Sequence, residues 1–245
     1  MNPAVESISA FFPCFNDEPT IGSMVNLAFA AIEDVGAEGD VTVINDGSTD
    51  GSAYVLKELA DAHPGMRIVT HERNRGYGGA LLSGFAAATA QWVFYTDGDA
   101  QFDPSELELL VRAARDDIDV VQGYKIRRAD SLARRVIGRV YHRFVAAAFG
   151  LTIRDTDCDF RLIRVAALER VELVHTSGVI CVELVRKLQD SGARFVEVPV
   201  HHYRRVHGHS QFFRPAQVIS SLVDLAGLWF RLIVFGQGRR QLSRT

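Results

Sequence analysis

Short apolar runs alternate along this chain with longer stretches in which apolar residues return every three or four positions. Ile8 to Phe12 reads as a buried strand, after which Ile21, Met24, Val25, Ala28, Ile32 and Val35 recur at helical spacing until Gly36. Val41 to Ile44 is a second apolar strand. A helix, a strand over Arg67 to His71, an Ala-rich helix after Asn74-Arg75-Gly76-Tyr77-Gly78-Gly79 and a strand over Trp92 to Thr96 follow. This β-α-β-α-β rhythm predicts an α/β fold with a mostly parallel open sheet flanked by helices. Later in the chain the pattern predicts a strand at Val120 to Gly123, a helix over Gly178 to Leu188 and a strand over Arg194 to Val200.

Each strand of the first half ends in a polar or Gly-rich loop, so those loops share the edge where open α/β sheets bind ligands. The strand at Trp92 to Thr96 runs straight into Asp97 and Asp99, one residue apart, with Gln101 just beyond and an Asp103-Pro104 helix start. Mg²⁺ or Mn²⁺ takes hard oxygen ligands, often one or two carboxylates plus the phosphates of a substrate, and Asp97, Asp99 and Gln101 would supply that sparse set. The triplet alone fits a polar turn equally well. A dinucleotide-binding oxidoreductase would need Gly-x-Gly-x-x-Gly after the first strand, whereas that turn holds Pro13, Asn16, Asp17 and Glu18. A P-loop ending in Gly-Lys-Ser/Thr is also missing.

With 245 residues, 47% hydrophobic against 23% charged, the chain can bury a substantial core, and no stretch of it looks like a linker. One domain over residues 1–212 is expected, with 213–245 as an amphipathic helix and basic tail. The net charge of -3 does not suggest a nucleic-acid partner. Cys14, Cys158 and Cys181 are widely spaced, which fits reduced thiols in the cytosol rather than disulfides or a zinc site. Met1 to Glu6 carries no secretion-signal pattern.

Taken in order, Pro13-Cys14-Phe15-Asn16-Asp17-Glu18, Asn45-Asp46-Gly47-Ser48-Thr49-Asp50-Gly51, Asn74-Arg75-Gly76-Tyr77-Gly78 and Asp97-Gly98-Asp99-Ala100-Gln101-Phe102-Asp103-Pro104 make the chain resemble a family 2 glycosyltransferase of the GT-A fold. The likeness runs from about Ile8 to Ser210 and is nearest to the dolichyl-phosphate and polyprenyl-phosphate sugar transferases. It implies a nucleoside site at Pro13, Phe15, Glu18 and Asp46, bordered by Arg75, Gly76 and Gly98. It also implies a metal loop at Asp97 and Asp99, and an inverting transfer. Arg205, spaced from Gly208 as in the family, corresponds to an arginine in a loop that closes on the donor diphosphate. Lys125 and Arg139 match basic residues that hold an acceptor phosphate. Asp155 matches an acceptor-side carboxylate, and Asp159 stands where relatives have Gly.

The residues themselves leave the acceptor open. Arg135, Arg139 and Arg143 recur four apart on a predicted helix whose apolar face holds Val136, Ile137, Val140, Phe144 and Val145, so an anion along the basic face would relieve their repulsion. That anion is the acceptor's phosphate, the donor's diphosphate or a lipid headgroup. A hydroxyl acceptor would need a base, with Asp155 or Asp157 the candidates, while a phosphomonoester with a second pKa of about 6 is already an anion. Pro215 to Phe235 is apolar, but Asp224 and Arg231 argue against a membrane span. With Gln217, Ser220 and Ser221 these two residues form a polar stripe. The segment is expected to lie on a membrane, or else on the domain or a twin subunit, with Arg239, Arg240 and Arg244 suited to anionic lipid.

The expected activity is therefore metal-dependent transfer of a hexose from a GDP- or UDP-sugar to a polyprenyl phosphate at the cytoplasmic face of a membrane. Transfer to a soluble hydroxyl, and a silent nucleotide-sugar-binding protein, are the alternatives.

Overall fold

A computed structural model describes residue 2 and residues 4–128, 142–205 and 215–236. Its centre is a seven-stranded sheet in the order β3-β2-β1-β4-β6-β5-β7. The strands are β1 (Ser7–Cys14), β2 (Glu38–Asn45), β3 (Met66–Thr70), β4 (Trp92–Thr96), β5 (Val120–Arg128), β6 (Phe160–Arg164) and β7 (Phe195–His202). β1 pairs in parallel with β2 and β4, β2 with β3, and β5 with β7. β6 runs against both β4 and β5.

Helices cover both faces: α1 (Glu18–Asp34), α2 (Ser52–Ala62), α3 (Tyr77–Ala87), α4 (Leu107–Ala113), α5 (residues 142–149), α6 (Val165–Leu168), α7 (Ile180–Asp190) and α8 (Pro215–Trp229). Successive strand residues point to opposite faces, which is why the strands read as unbroken apolar runs. Ile8, Ala10, Phe12, Val41, Val43, Trp92 and Phe94 enter one core with α1 and α4. Phe11, Ile44, Val93 and Tyr95 enter the opposite core with α3 and α7. A third cluster joins Val145 and Phe149 of α5, Val182 and Val185 of α7, and Leu225, Leu228 and Leu232 at the C-terminal end.

The first half of the chain folds as its pattern predicts, including the Asp103 side chain that accepts from Ser105 N (2.9 Å) where a short 3₁₀ turn starts at Pro104. Three features differ. The segment containing Phe160-Arg161 is a strand, β6, and it is the one antiparallel member of the sheet. Its pattern is masked because Arg161, on a strand interior, is 1% exposed. Second, Phe144 does not share the apolar face with Val145: Val145 is buried and Phe144 is 66% exposed.

Third, the last helix is not simply polar outside and apolar inside. Leu225 and Leu228 of α8, with Leu232 in the π-helical turn Phe230–Val234, pack on α5 and α7, while Leu222, Val223, Phe230, Val234 and Phe235 are exposed. No helix among the described residues is long and apolar enough to cross a membrane. The expected boundary at 212–213, and Arg134, Arg135 and Arg139, lie outside the described residues.

Gly84 of α3 fits where no side chain can: a Cβ there would stand 2.2 Å from Phe11 Cδ2 and Cε2. Gly84→Ala should therefore destabilise by about 1–3 kcal/mol through overpacking, against the gain Ala normally brings to a helix. The midpoint and slope of urea unfolding would measure it.

Candidate active site

The carboxyl ends of β1, β2, β3 and β4 and the start of β6 meet at one edge, since Thr96 pairs with Phe160. The first three loops are zipped together there. Asn16 Oδ1 accepts from Thr49 N (2.8 Å) and Asn16 N donates to Ser48 Oγ (3.1 Å). Glu18 Oε2 accepts from Gly51 N (2.9 Å), so this expected nucleoside-site residue bridges the first and second loops. Pro13 is buried and its carbonyl would lie 2.8 Å from a Cβ on Gly98, which fixes glycine at that position; Phe15 is exposed at the rim.

Asp46, 3% exposed, is held on Oδ1 by His71 Nδ1 (2.6 Å) and Arg75 N (2.8 Å). The Arg75 side chain is exposed. Gly76 adopts φ +82, and a Cβ on it would meet Thr176 O at 2.7 Å. The glycines of the third loop thus let it dock on the 174–178 segment, where Gly79 N donates to Thr176 O (3.3 Å). Glu183, fully buried on α7, holds that segment by accepting from Val174 N (3.1 Å), His175 N (3.0 Å) and Lys187 Nζ (2.8 Å). Burial alone would raise the Glu183 pKa, but bonds from His175 and Lys187 outweigh it and pull the value down to about 2. Arg231, beyond α8, reaches His175 Nε2 (2.8 Å).

At the end of β4, Asp99 is 5% exposed and its Oδ1 accepts from Gln101 N (3.0 Å). Its Oδ2 carries an ion pair with Arg205. Asp97 Oδ1 is buried without a hydrogen-bond partner. Burial first, then the carboxylates of Asp159 and Asp99, drive the Asp97 pKa well above the usual carboxylate range. Tyr77 lies beside it with a hydroxyl that is likewise buried, and its approach to the carboxyl offsets part of that rise. Asp17 adds a further acid, its pKa raised to about 6 by burial and by Asp99. Ala100 holds φ 58, a left-handed turn that costs a residue with a Cβ about 1–2 kcal/mol. Gln101 ties this loop to the end of β7: its Nε2 donates to Tyr203 O (3.2 Å) and its backbone carbonyl accepts from Tyr203 N (2.8 Å).

The Asp155–Asp159 loop closes the opposite wall. Asp155 and Asp159 are buried and Asp157 is exposed. Arg161 organises the loop from below: its guanidinium donates to Gln122 Oε1 (2.5 Å), Asp159 Oδ1 (2.9 Å), Tyr95 Oη and Thr156 O. Gln122 Nε2 in turn donates to Cys158 O (2.8 Å). Asp159, standing where the resembled family has Gly, is thus half of a buried ion pair. Lys125 donates Nζ to Asp157 O (2.6 Å) and lies over the Phe102 ring. Arg139, Gly208 and Ser210 lie outside the described residues.

The arrangement therefore brings Asp46, Asp97, Asp99, Asp155, Lys125 and Arg205 to one sheet edge. His71, Tyr77 and Arg161 belong to it too: His71 just after β3 and Arg161 within β6 carry no other signal in the sequence, while Tyr77 opens α3 inside the third glycine-rich loop motif. Chemically the edge is a cluster of hard oxygen donors, one of them buried and unsatisfied, flanked by cations that are already engaged. A divalent cation fits such a donor set.

Residues 9–172 match the model of glycosyl transferase family 2. The undecaprenyl-phosphate 4-deoxy-4-formamido-L-arabinose transferase of Edwardsiella ictaluri is 29% identical over 210 residues, 85% of this chain and 63% of the relative. The transferase of the same name from Enterobacter sp. strain 638 is also 29% identical, over 212 residues. This chain thus spans about 63% of the length of the curated relatives it matches. Among solved structures, the glucosyl-3-phosphoglycerate synthase of Mycobacterium tuberculosis with Mn²⁺ and UDP-glucose superposes with a TM-score of 0.65 at 21% identity, over 91% of this chain and 79% of the other. A mannosyltransferase from Pyrobaculum calidifontis with GDP-mannose and Mn²⁺ gives 0.62 at 17% identity, over 97% and 73%. These likenesses establish a shared GT-A fold.

Because the folded pKa of Glu183 lies below its ordinary value of 4.5, its stabilisation is complete above that value and is lost as pH falls toward about 2. Glu183→Gln should cost about 3 kcal/mol near neutrality and flatten the acid limb of a stability-against-pH curve. Urea unfolding at a series of pH values checks both.

Proposed function

The chain belongs to glycosyl transferase family 2, and we propose that it moves a hexose from a UDP- or GDP-sugar to a polyprenyl phosphate, with inversion at the anomeric carbon. The buried, unpartnered Oδ1 of Asp97, beside Asp99 at the end of β4, is the observation that carries this proposal. Such an atom costs free energy unless a ligand satisfies it. Asp97 and Asp99 would hold Mg²⁺ or Mn²⁺, which when bound offsets the charge that grows on the departing nucleoside diphosphate. Gln101, whose Nε2 is tied to Tyr203 O, would offer its Oε1 as a third oxygen donor.

Asp46, Pro13 and Phe15 line the nucleoside end, with Glu18, Arg75, Gly76 and Gly98 shaping the loops around it. Arg205, now on Asp99, is placed to exchange that carboxylate for the donor's diphosphate. Lys125 and the Asp155–Asp157 loop form the acceptor wall, with Arg139 as the second acceptor cation. An acceptor phosphate is an anion at neutral pH and requires cations around it, not a base. The names of the curated relatives support a polyprenyl phosphate acceptor. The exposed Leu222, Val223, Phe230 and Val234 suit a helix lying on the cytoplasmic face of the membrane that carries such a lipid. The buried position of Asp155 on the acceptor wall favours one second reading, transfer to a hydroxyl with Asp155 as base.

Thermal unfolding with UDP- and GDP-sugars, each with and without Mn²⁺, tests the donor. A true donor at a hundredfold its Kd stabilises by about 2.7 kcal/mol, only with metal present, and Asp97→Asn or Asp99→Asn should abolish the gain. Stabilisation that is equal without metal overturns the metal's role. Asp155→Asn should leave turnover with polyprenyl phosphate within about threefold of the parent, whereas a loss of about 10²-fold or more would instead identify a base.

A further inference from the structure

Beneath the nucleoside end lies a chain of side-chain bonds that no reaction step above uses. His71 follows β3 and is 4% exposed, with its backbone N bound to Asn45 O (2.9 Å). Its Nδ1 lies 2.6 Å from Asp46 Oδ1, and its Nε2 lies 2.8 Å from Ser83 Oγ on α3. An ionised carboxylate can only accept, so Nδ1 carries the hydrogen that faces Asp46, while the Ser83 hydroxyl can serve Nε2 in either role. The imidazole is thus bonded on both sides and cannot turn.

Asp46 is fixed by the same bonds. Its backbone N donates to Cys14 O (2.9 Å), and Arg75 N of the third loop donates to the same Oδ1 that His71 binds (2.8 Å). The third loop also lies tight against the next residue: a Cβ on Gly47 would stand 2.7 Å from Asn74 N. Since both contacts to the carboxylate fall on Oδ1, Oδ2 is the oxygen left to meet a ligand. A carboxylate with one anchor could rotate about its Cβ–Cγ bond and offer either oxygen.

We infer that His71 is a positioning residue that, braced by Ser83, holds the Asp46 carboxylate in the orientation in which it reads the nucleoside of the donor. This rests on the nucleotide-sugar reading of the site and extends it: the grip on the base depends on a histidine that does not touch the ligand. The diphosphate end, built on Asp97 and Asp99, is independent of it.

Three variants test this. His71→Phe keeps the ring's bulk and removes both bonds; His71→Asn restores a donor at the Nδ1 position; Ser83→Ala removes only the brace. His71→Phe should raise the Kd for UDP or GDP with Mn²⁺, and the KM for the donor sugar, by about tenfold with kcat unchanged. His71→Asn should recover to within about threefold, and Ser83→Ala should lose about threefold. Binding of inorganic pyrophosphate with Mn²⁺ should be unchanged in all three, which a general loss of structure would not spare. Nucleotide affinity in His71→Phe equal to that of the parent overturns the inference. Should that variant not fold, unchanged nucleotide affinity in Ser83→Ala overturns it instead. Failure of the unaltered protein to bind either nucleotide overturns the donor reading itself, and is distinguishable because it appears before any substitution is made.

Discussion

Crowded negative charge at the end of β4 is the constraint around which the rest is arranged. Asp97, Asp99 and Asp159 interact electrostatically, and Asp17 stands near Asp99. Left to themselves such groups repel, and burial makes each charge dearer still. The cations in reach among the described residues are already committed: Arg161 to Asp159, Lys125 to the Asp157 carbonyl, Arg205 to Asp99. Asp97 receives only partial relief, from the Tyr77 hydroxyl and the Lys125 charge, and burial with its acidic neighbours outweighs both. A fold that concentrates carboxylates to this degree is stable only if their geometry is imposed from outside the cluster, by the pairing of β4 with β1 and β6 and by glycines that let the loops close.

Arg161 shows how that imposition works. Its guanidinium spans Tyr95 on β4, Gln122 on β5 and the Thr156 carbonyl, so one side chain ties two strands to the Asp155–Asp159 loop. Breaking a buried pair by removing one partner typically costs about 3–5 kcal/mol, because the other charge is left stranded. Asp159 is tolerated on these terms, and its proximity is one reason the Asp97 carboxyl resists ionisation. The Asp155–Asp159 loop and the acid pair are therefore mechanically joined through the interior of the sheet.

Much of this was legible in the residues, and the parts that were not share a cause. Strands β1, β2 and β4 announced themselves because both faces of their buried ends are apolar, and Asp46, Asp97 and Asp99 because they follow on those strands. β6 was hidden since Arg161 breaks the apolar run, and a buried arginine looks like a solvated one until its partners, distant in sequence, are known. His71 was similarly silent: a histidine at a strand end has no local pattern, and its partners lie 25 and 12 residues away. The outward apolar residues of α8 were missed for a different reason. Its polar stripe was real in sequence, but the face chosen for packing is set by α5 and α7, not by the helix's own periodicity.

The sheet order carries a consequence for how the molecule is made. β3, β2, β1 and β4 find their neighbours within the first hundred or so residues, and could pair as the chain leaves the ribosome. β5 has no such option. Its two neighbours, β6 and β7, both come later in the chain, and β6 must slot between β4 and β5 in reverse direction before either has a partner on that side. Until then, two apolar strands stand with open edges, the template for mispairing between nascent chains. The slow, concentration-sensitive stage of assembly should accordingly be the insertion of Phe160 to Arg164, the same five residues that bring Arg161 to its partners.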